Sequence, residues 1–299
     1  MTSYSVVEDK LVWEVDGRDW PNREHSRFVT AGGLRWHVQV AGAGPVLLLL
    51  HGTGASTHSF GDLLPLLTER FTVVAPDLPG HAFTATPPLN RLTLPAMAVA
   101  VGALLRGLGL APDVVVGHSA GAAIGARMCL DGLITPRLLI SLSGALLPLR
   151  GLQGTWFSPA AKLFARSGIV PRFVARGARK DPDGVRRLAD GTGSRLTPEG
   201  IARYRTLVSS AGHLAAALNM MANWDLRPMI EDLPRLQPRL VLVAFTDDKT
   251  VPPAEAERAH ALMPRARMLT FGGLGHLAHE EDASLIAALI NEAVDALPR

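Results

Sequence analysis

The stretch VVVGHSAGAA, residues 114–123, constrains the fold of this chain more than any other. A run of valines, typical of a buried strand, ends abruptly at GHSAG, and an alanine-rich segment typical of a helix follows at once. Glycines on both sides of the turn let a strand and a helix approach closely, because they lack a Cβ. The pattern predicts a strained turn with the Ser119 hydroxyl at its tip, beside the positive end of a helix.

The predicted turn consists of Gly117, His118, Ser119, Ala120 and Gly121. A G-x-S-x-G pentapeptide with a strand before it and a helix after it favours a catalytic nucleophile at Ser119. The alternative is a glycine-rich turn whose serine is incidental. A serine hydroxyl is a weak nucleophile at neutral pH, so the catalytic interpretation requires a histidine base and an orienting acid elsewhere in the chain.

The predicted base is His276, in GGLGHLAHEED just after the last predicted strand. A loop at that position can reach back over the carboxyl edge of a sheet, and the chain order serine, acid, histidine suits this type of turn. His279 is the alternative, although it is expected to begin the helix that follows. The side chain of His118 is expected to point away from Ser119 across the turn.

The acid is expected in TDDKTVP, residues 246–252, after the predicted strand LVLVAF. It would hold the histidine in the right tautomer and stabilise its protonated form. Asp247 and Asp248 both fit, and the local pattern does not separate them. The alternative for either is a loop carboxylate that caps the helix after Pro252.

An oxyanion formed at a carbonyl needs two backbone donors. One is the N–H of Ala120, which follows the nucleophile. The other is expected in HGTGAS, residues 51–56, after the first buried strand. Thr53 N–H is the predicted donor and Gly54 the second choice, because glycines here let the backbone approach a substrate. The alternative is a glycine-rich loop that contacts no ligand.

Apolar runs typical of buried strands alternate with helical patterns along most of the chain. This alternation predicts an α/β fold, a mostly parallel sheet with helices on both faces. It breaks between about residues 148 and 233, where helical pieces and glycines occur. We therefore predict a core made of residues 1–147 and 234–299, with a helical lid inserted at 148–233.

With these elements in this order, the chain resembles the α/β-hydrolases from about residue 28 to its C-terminus. DLPGH at 77–81 resembles the family's D-x-P-G-H/R turn, and the segment DKTVP resembles its D-x-x-V/I-P motif. The second motif favours Asp248 as the acid. The resemblance implies an eight-stranded sheet, a lid and a triad of Ser119, His276 and Asp248.

The chain departs from the family pattern at two positions. Ala82 stands where a second glycine is usual, and Phe245 stands where a glycine often precedes the acid. Neither position belongs to the expected triad, so both concern the detail of loops.

A closer resemblance rests on DWPNREHSRF, GGLRWHVQ, HGTGASTHSF, GHSAGAAIGARMCLDG and SGALLPLRG. These segments are similar to the α/β-hydrolases of bacteriochlorophyll biosynthesis, a family of magnesium chelatase accessory proteins found in photosynthetic bacteria. The resemblance implies a small hydrophobic substrate, an ester of an acid such as a tetrapyrrole. It also implies contact with magnesium chelatase.

The predicted lid carries an excess of positive charge. Residues 150–207 contain twelve Lys and Arg against four Asp and Glu, whereas the whole chain has a net charge of +3. Apolar and basic side chains interleave in residues 157–180, which suits an anionic membrane surface or a pocket for an apolar substrate with carboxylates. The alternative is a solvated basic face. Nucleic acid is not expected, because no binding motif accompanies the charge.

Met220, Met221 and Trp224 are expected to line the cleft or to pack under the lid. The histidines are scattered and Cys129 is the one cysteine, so we expect no metal and no cofactor. The N-terminal residues lack a signal-peptide pattern, and a single cysteine fits a reducing compartment. The expected location is the cytoplasm, at most peripheral to the inner or photosynthetic membrane.

The sequence is compatible with three functions. The leading one is a serine hydrolase that works through an acyl-enzyme on an ester of a hydrophobic acid. The HGTGAS loop also resembles that of ring-cleavage-product hydrolases, which keeps carbon–carbon bond hydrolysis open. A non-catalytic protein that binds porphyrin or assists magnesium chelatase is the third, and a complete triad argues against it.

Overall fold

A computed structural model describes residues 9–149, 169–181 and 183–298. Eight strands of this part of the chain form one sheet. They are β1 (Ser26–Ala31), β2 (Leu34–Ala41), β3 (Val46–Leu50), β4 (Thr72–Pro76), β5 (Val114–His118), β6 (Leu138–Leu142), β7 (Arg239–Phe245) and β8 (Arg267–Phe271). Their order across the sheet is β1-β2-β4-β3-β5-β6-β7-β8. The pairs β1–β2 and β2–β4 are antiparallel and the remaining neighbours are parallel, which confirms the predicted fold class.

The described helices follow the strands in alternation over most of the chain. They are α1 (Trp13–Asp16), α2 (Leu63–Leu67), α3 (Leu94–Leu108), α4 (Ala120–Leu130), α5 (Ile169–Lys180), α6 (Gly184–Gly191), α7 (Pro198–Val208), α8 (Ala211–Ala222), α9 (Met229–Asp232), α10 (Pro253–Leu262), α11 (Ala278–Glu281) and α12 (Ala283–Asp295). None of them is long and apolar enough to span a membrane.

The core lies on both faces of the sheet because successive side chains of a strand point to opposite sides. In β3, Leu48 and Leu50 pack into the cluster formed with α3 and α4. Leu47 and Leu49 of the same strand pack into the cluster formed with α2 and α12. All four leucines are fully buried, so β3 reads as a continuous apolar run instead of an alternating one.

The register of the parallel strands brings several loops to one edge of the sheet. Leu50 at the end of β3 pairs with Gly117 near the end of β5. Phe245 at the end of β7 pairs with Phe271 at the end of β8. The segments that follow these strands therefore meet at the carboxyl edge, where ligands of open α/β sheets bind.

Helices α5, α6, α7 and α8 all lie between β6 and β7 in the chain, within the predicted insertion. We call the described residues 169–181 and 183–222 the insertion helices. The first part of the basic stretch predicted at 157–180, residues 157–168, lies outside the described residues. Helix α5 packs on α7 and α8, and α6 packs on α7.

Candidate active site

Ser119 lies at a sharp turn between β5 and α4. Its φ of 52° and ψ of −117° are unusual for a residue with a side chain, so the backbone is strained there. The strained turn is held by hydrogen bonds from Ser119 N to Leu142 O at 3.0 Å and from Ala145 N to Ser119 O at 3.1 Å.

The glycines of the turn allow an approach that no larger residue permits. A Cβ on Gly121 would lie 2.1 Å from the carbonyl oxygen of Leu50, and a Cβ on Gly117 would lie 2.4 Å from the Cα of Ala122. The strand β5, the neighbouring strand β3 and the helix α4 therefore close tightly around the serine. This contact is the physical reason for glycine at both positions of the pentapeptide.

His276 and Asp248 form a buried hydrogen-bonded pair. His276 Nδ1 lies 2.8 Å from Asp248 Oδ2, and the two residues are 6% and 4% exposed. The other carboxylate oxygen of Asp248 accepts from the backbone N–H groups of Thr250 and Val251, both at 2.8 Å. Three donors therefore fix the carboxylate, and the carboxylate fixes the tautomer and direction of the imidazole.

Asp247 and His279, the alternative candidates for the acid and the base, do not take part in the His276–Asp248 pair. The side chain of Asp247 accepts from the hydroxyl of the adjacent Thr246 and is exposed. His279 is buried at the start of α11, where its Nε2 lies 2.8 Å from the Ser59 hydroxyl. Burial, followed by the charge of His276, lowers the pKa of His279 to about 3. It is therefore held neutral in this environment.

His118 packs behind the turn. Its Nε2 lies 2.9 Å from the carbonyl oxygen of His276, and its ring centroid is 4.7 Å from that of His276 and 4.4 Å from that of His279. Burial, with the charges of His279 and His276, holds the pKa of His118 well below its ordinary value. A neutral His118 can donate to the His276 carbonyl and so links β5 to residues 272–277, which we call the histidine loop.

The loop that carries Thr53 and Gly54 follows β3 and contacts helix α8. The Thr53 hydroxyl lies 3.7 Å from Met220 Sδ, and the Gly54 carbonyl lies 3.1 Å from His213 Nε2. Gly54 has a φ of 78°, the left-handed conformation that favours glycine. Thr53, Gly54 and Ala120 all border one cavity at the carboxyl edge of the sheet.

A cavity of about 840 Å³ opens at the carboxyl edge of the sheet, near the upper end of the range for small-molecule sites. Ser119 and His276 share it with the loop that carries Thr53 and Gly54 and with side chains of the insertion helices. Its lining includes Gly52, Thr53, Gly54, Ser119, Ala120, Leu149, Val185, Leu188, Thr192, Tyr204, Val208, Met221, Trp224, Arg227, Val251 and His276. Most of these side chains are apolar, so the cavity suits a hydrophobic ligand.

The three residues expected to line the cleft are placed differently from one another. Met221 and Trp224 border the cavity. Met220 is fully buried in the core cluster that contains α3 and α4, and supports the loop through its contact with Thr53.

A buried acid beside the cavity was not anticipated from the sequence. Glu280 accepts from the hydroxyls of Ser59 and Tyr204, the latter at 2.7 Å. Burial is the largest cause that raises the pKa of Glu280 to about 7. Burial and the nearby Glu280 charge raise the pKa of Tyr204 well above its ordinary value. The segment HEED signalled acidic residues here, but not that one of them binds helix α7.

Among the described residues, no group of three or more His, Cys, Asp or Glu is arranged to hold a metal ion. Cys129 is partly buried, and burial raises the pKa of its thiol to about 12. Ser119 and His276, the predicted nucleophile and base, both line the cavity.

The family is decided by a match to known sequences. Residues 47–289 match the model of the alpha/beta hydrolase family, which covers most of the chain. The chain belongs to this family. Membership agrees with the sheet order, with the turn at Ser119 and with the loop positions of Asp248 and His276.

Alignments with related proteins cover nearly the whole chain. A protein of Rhodobacter capsulatus named magnesium-chelatase 30 kDa subunit is 37% identical over 91% of this chain and 95% of its own length. The pimeloyl-[acyl-carrier protein] methyl ester esterase of Xylella fastidiosa is 27% identical over 88% of this chain and its full length. The crystal structure of a serine hydrolase involved in carbazole degradation superposes with a TM-score of 0.73 and 20% identity, covering 90% of this chain and 98% of that one.

Proposed function

We propose that this α/β-hydrolase is a serine esterase in which Ser119, His276 and Asp248 form a catalytic triad. One observation carries the proposal. His276, held by a 2.8 Å hydrogen bond to Asp248, lines the same cavity as Ser119, which lies on a strained turn. Strain of this kind is retained at functional sites because the surrounding structure over-determines it.

In the proposed reaction Ser119 Oγ bonds to the ester carbonyl carbon while its proton passes to His276. Asp248 stabilises the protonated imidazole. The N–H groups of Ala120 and Thr53 hold the oxyanion, since both residues border the cavity. The tetrahedral intermediate collapses, and the alcohol leaves with the proton from His276.

The second half of the reaction uses water. A water molecule gives a proton to His276 and bonds to the acyl carbon. The second tetrahedral intermediate then releases the acid, and Ser119 recovers its proton. The net reaction is ester plus water to acid plus alcohol, with the enzyme unchanged.

The proposed substrate is an ester of a bulky hydrophobic acid, with a tetrapyrrole acid as the specific candidate. The size and apolar lining of the cavity support a bulky hydrophobic group. The tetrapyrrole is supported by the relative named as a magnesium-chelatase subunit, which aligns with nearly the whole chain. Bacteriochlorophyll biosynthesis is the pathway we propose on the same ground.

Covalent labelling with a fluorophosphonate tests the nucleophile, with the modified peptide identified by mass spectrometry. We expect a label on Ser119 in the wild type, no label at this site in Ser119→Ala, and a label reduced about 10³-fold or more in His276→Ala. His25→Ala is the matched control. His25 is partly exposed, contacts Glu24 and is not among the residues that line the cavity. A wild type that folds but does not label contradicts the proposal.

Substrate class is tested with paired esters. Methyl esters of porphyrin carboxylic acids are compared with short-chain nitrophenyl esters, and hydrolysis is followed by chromatography. A higher kcat/KM for the porphyrin esters is the expected result. Turnover confined to the small esters would leave the triad in place and overturn the tetrapyrrole substrate.

A non-catalytic role with magnesium chelatase is the competing function, favoured by the name of the Rhodobacter relative. The esterase and the accessory role can be distinguished in a cell that depends on this protein for pigment synthesis. Ser119→Ala abolishes pigment synthesis if the protein is an esterase and preserves it if the protein is an accessory. The protein level in the cell is measured alongside as the control for folding.

Carbon–carbon bond hydrolysis is the alternative for the same triad. It is distinguished by offering a ring-cleavage product, whose loss of colour reports the cleaved bond. Ester turnover without cleavage of this compound supports the esterase.

We also propose that helix α5 contacts an anionic membrane surface. Ile169 and Phe173 are 71% and 79% exposed, and they share a face with Arg176 and Lys180 at helical spacing. The helix contains no acidic residue. Exposed apolar side chains flanked by basic ones are typical of helices that lie in the interface of anionic lipids.

Flotation with vesicles tests the membrane contact. The wild type is expected to float with phosphatidylglycerol vesicles and not with phosphatidylcholine vesicles. Ile169→Ser with Phe173→Ser should abolish flotation, whereas Val99→Ser, at an exposed apolar position of α3, should not. Equal flotation of the double variant and the wild type contradicts the contact.

A further inference from the structure

The loops that carry the proposed catalytic groups are bound to the insertion helices by a set of short contacts. The segment 192–195 connects α6 to α7. It lies against the histidine loop and against residues 246–252, which carry Asp248 and which we call the acid loop. Thr192 O accepts from Lys249 N at 3.1 Å and from His276 N at 3.4 Å. Ser194 Oγ accepts from Leu277 N at 2.7 Å. The neighbours of Asp248 and His276 in the chain are thus held by one segment.

The segment 192–195 packs closely against the backbone of the acid and histidine loops. A Cβ on Gly193 would lie 1.8 Å from the carbonyl oxygen of Asp247, and a Cβ on Gly275 would lie 2.3 Å from the carbonyl carbon of Gly193. Gly193 also has a φ of 87°, which favours glycine. The segment 192–195 therefore cannot shift without moving the acid and histidine loops.

Further hydrogen bonds extend the contact through Glu281. One carboxylate oxygen of Glu281 accepts from Gly275 N at 2.9 Å, and the other accepts from Arg195 N at 3.0 Å. The side chain of Glu281 thus bridges the histidine loop and Arg195, the last residue of the segment 192–195.

Helix α8 holds residues 51–56, the proposed oxyanion loop, in a similar way. His213 is buried, and it accepts from Ala82 N through Nδ1 at 3.0 Å and donates to the Gly54 carbonyl through Nε2 at 3.1 Å. Because Ala82 N can only donate, the proton of a neutral imidazole must lie on Nε2. Burial lowers the pKa of His213 to about 3, which keeps the ring neutral. The contact orients the peptide between Gly54 and Ala55, in the same loop as Thr53.

We infer that Ser194 and His213 are positioning residues of this enzyme, through which the insertion helices hold the histidine and oxyanion loops in their reactive geometry. The inference rests on the triad proposed above. It makes the insertion more than a cover for the cavity, because a displacement of α6 or α8 would move reacting groups as well as open the site.

The first experiment compares Ser194→Ala with Thr197→Ala. Thr197 caps α7 by accepting from Gly200 N at 3.1 Å and lies three residues from Ser194. Each variant loses one side-chain hydrogen bond in the same region, and Thr197 has no hydrogen bond to a catalytic loop among the described contacts. The rate of fluorophosphonate labelling at Ser119 is expected to fall about 10- to 100-fold in Ser194→Ala, since small displacements of reacting groups have effects of this size. It is expected to stay close to the wild-type rate in Thr197→Ala.

A second pair of variants separates orientation from loss of packing at His213. Glutamine can place its amide nitrogen near the position of Nε2 and donate to the Gly54 carbonyl, whereas alanine cannot. His213→Gln should recover a large part of the labelling rate that His213→Ala loses. Equal loss in both, at equal thermal stability, overturns the role assigned to His213.

Hydrogen exchange gives a readout that does not depend on catalysis. Peptides containing Lys249 are followed by mass spectrometry in the wild type, Ser194→Ala and Thr197→Ala. Ser194 has no hydrogen bond to Lys249 among the described contacts. Faster exchange at Lys249 in Ser194→Ala, but not in Thr197→Ala, would therefore report a disturbed acid loop. Unchanged exchange together with an unchanged labelling rate overturns the role of Ser194. If the wild type itself does not label, the proposed triad fails, and the exchange result still decides whether the insertion holds the loops.

Discussion

The carboxyl edge of the sheet and the insertion helices border the same cavity, but they are built differently. At the sheet edge Asp248 is buried, and its carboxylate accepts three hydrogen bonds. In the insertion, α5 buries Pro171 and Ala175 and leaves Phe173 79% exposed. The difference teaches that the proposed catalytic groups lie where side chains are buried and hydrogen-bonded, whereas α5, which contributes no residue to the cavity lining, leaves apolar side chains exposed.

The sheet edge is also where strain is stored. Ser119 has a positive φ, and the backbone around it leaves no space for a Cβ at Gly117 or Gly121. In α5, by contrast, a Cβ on Gly177 would meet nothing within 4 Å. The same substitution, glycine to alanine, should therefore have opposite effects in the two regions.

The largest effect is expected at the acid. Asp248→Asn keeps an oxygen for the N–H groups of Thr250 and Val251 but favours the wrong tautomer of His276, so activity should fall about 10⁴-fold. Esterase turnover or the labelling rate at Ser119 measures it. Asp247→Asn is the matched control, because this side chain is exposed and bonds to Thr246. A comparable loss in both variants would remove the reason for choosing Asp248.

The next effect concerns the strained turn. Gly121→Ala places a Cβ 2.1 Å from the carbonyl oxygen of Leu50, a backbone atom that cannot move aside. The free energy of unfolding should fall by about 3 kcal/mol, as for severe overpacking of a core. Chemical denaturation measures the change. An unaltered denaturation midpoint would show that β3 and α4 are less tightly joined than the distances indicate.

The contact between the two regions at Glu280 should depend on pH. Its pKa is raised from 4.5 to about 7, so the folded state binds the proton more tightly than the unfolded state. The resulting stabilisation is complete below pH 4.5 and is lost as the pH rises to about 7, a change on the order of 3 kcal/mol. Glu280→Gln keeps acceptors for Ser59 and Tyr204 without a charge.

The variant should therefore be more stable than the wild type at pH 8, and the difference should vanish near pH 4.5. Thermal unfolding of both proteins across this range measures it. Glu231→Gln is the matched control, since Glu231 is exposed on α9. A difference between wild type and Glu280→Gln that does not vary with pH would show that the carboxyl ionises normally.

The smallest effect is expected in α5. Gly177→Ala adds a methyl group where there is open space and favours the helix, so it should stabilise the helix by about 0.8–1.0 kcal/mol. Helical circular dichroism and resistance to limited proteolysis within the insertion measure it. A loss of stability would show that the exposed face of α5 is covered in solution.

Much of the core could be predicted because its signals are local. The valine run, the glycines and the serine of residues 114–121 specify strand, turn and helix within eight residues. The position of His276 after the last strand also follows from the topology of a parallel sheet, whose loops meet at one edge. Asp247 and Asp248 could not be separated by local pattern, because the two differ in which one reaches a histidine 28 residues away.

The contacts of the insertion could not be foreseen in the same way. His213 and Gly54 are 159 residues apart, and Ser194 and Leu277 are 83 residues apart. Nothing in the sequence around His213 or Ser194 marks either residue as a partner of the loops proposed to carry the catalytic groups. The same holds for Met220, which the structure buries under Thr53.

By itself, therefore, the sequence determined the order of the strands and helices, the turn at Ser119 and the residue types available for catalysis. Periodicity, turn chemistry and the need of a serine for a base act over short stretches of chain or through a fixed topology. The tertiary structure decided which carboxylate meets His276, which side chains border the cavity and how the insertion holds the loops. These depend on hydrogen bonds and packing contacts between segments that are distant in the chain. The local sequence around each partner does not specify such a contact.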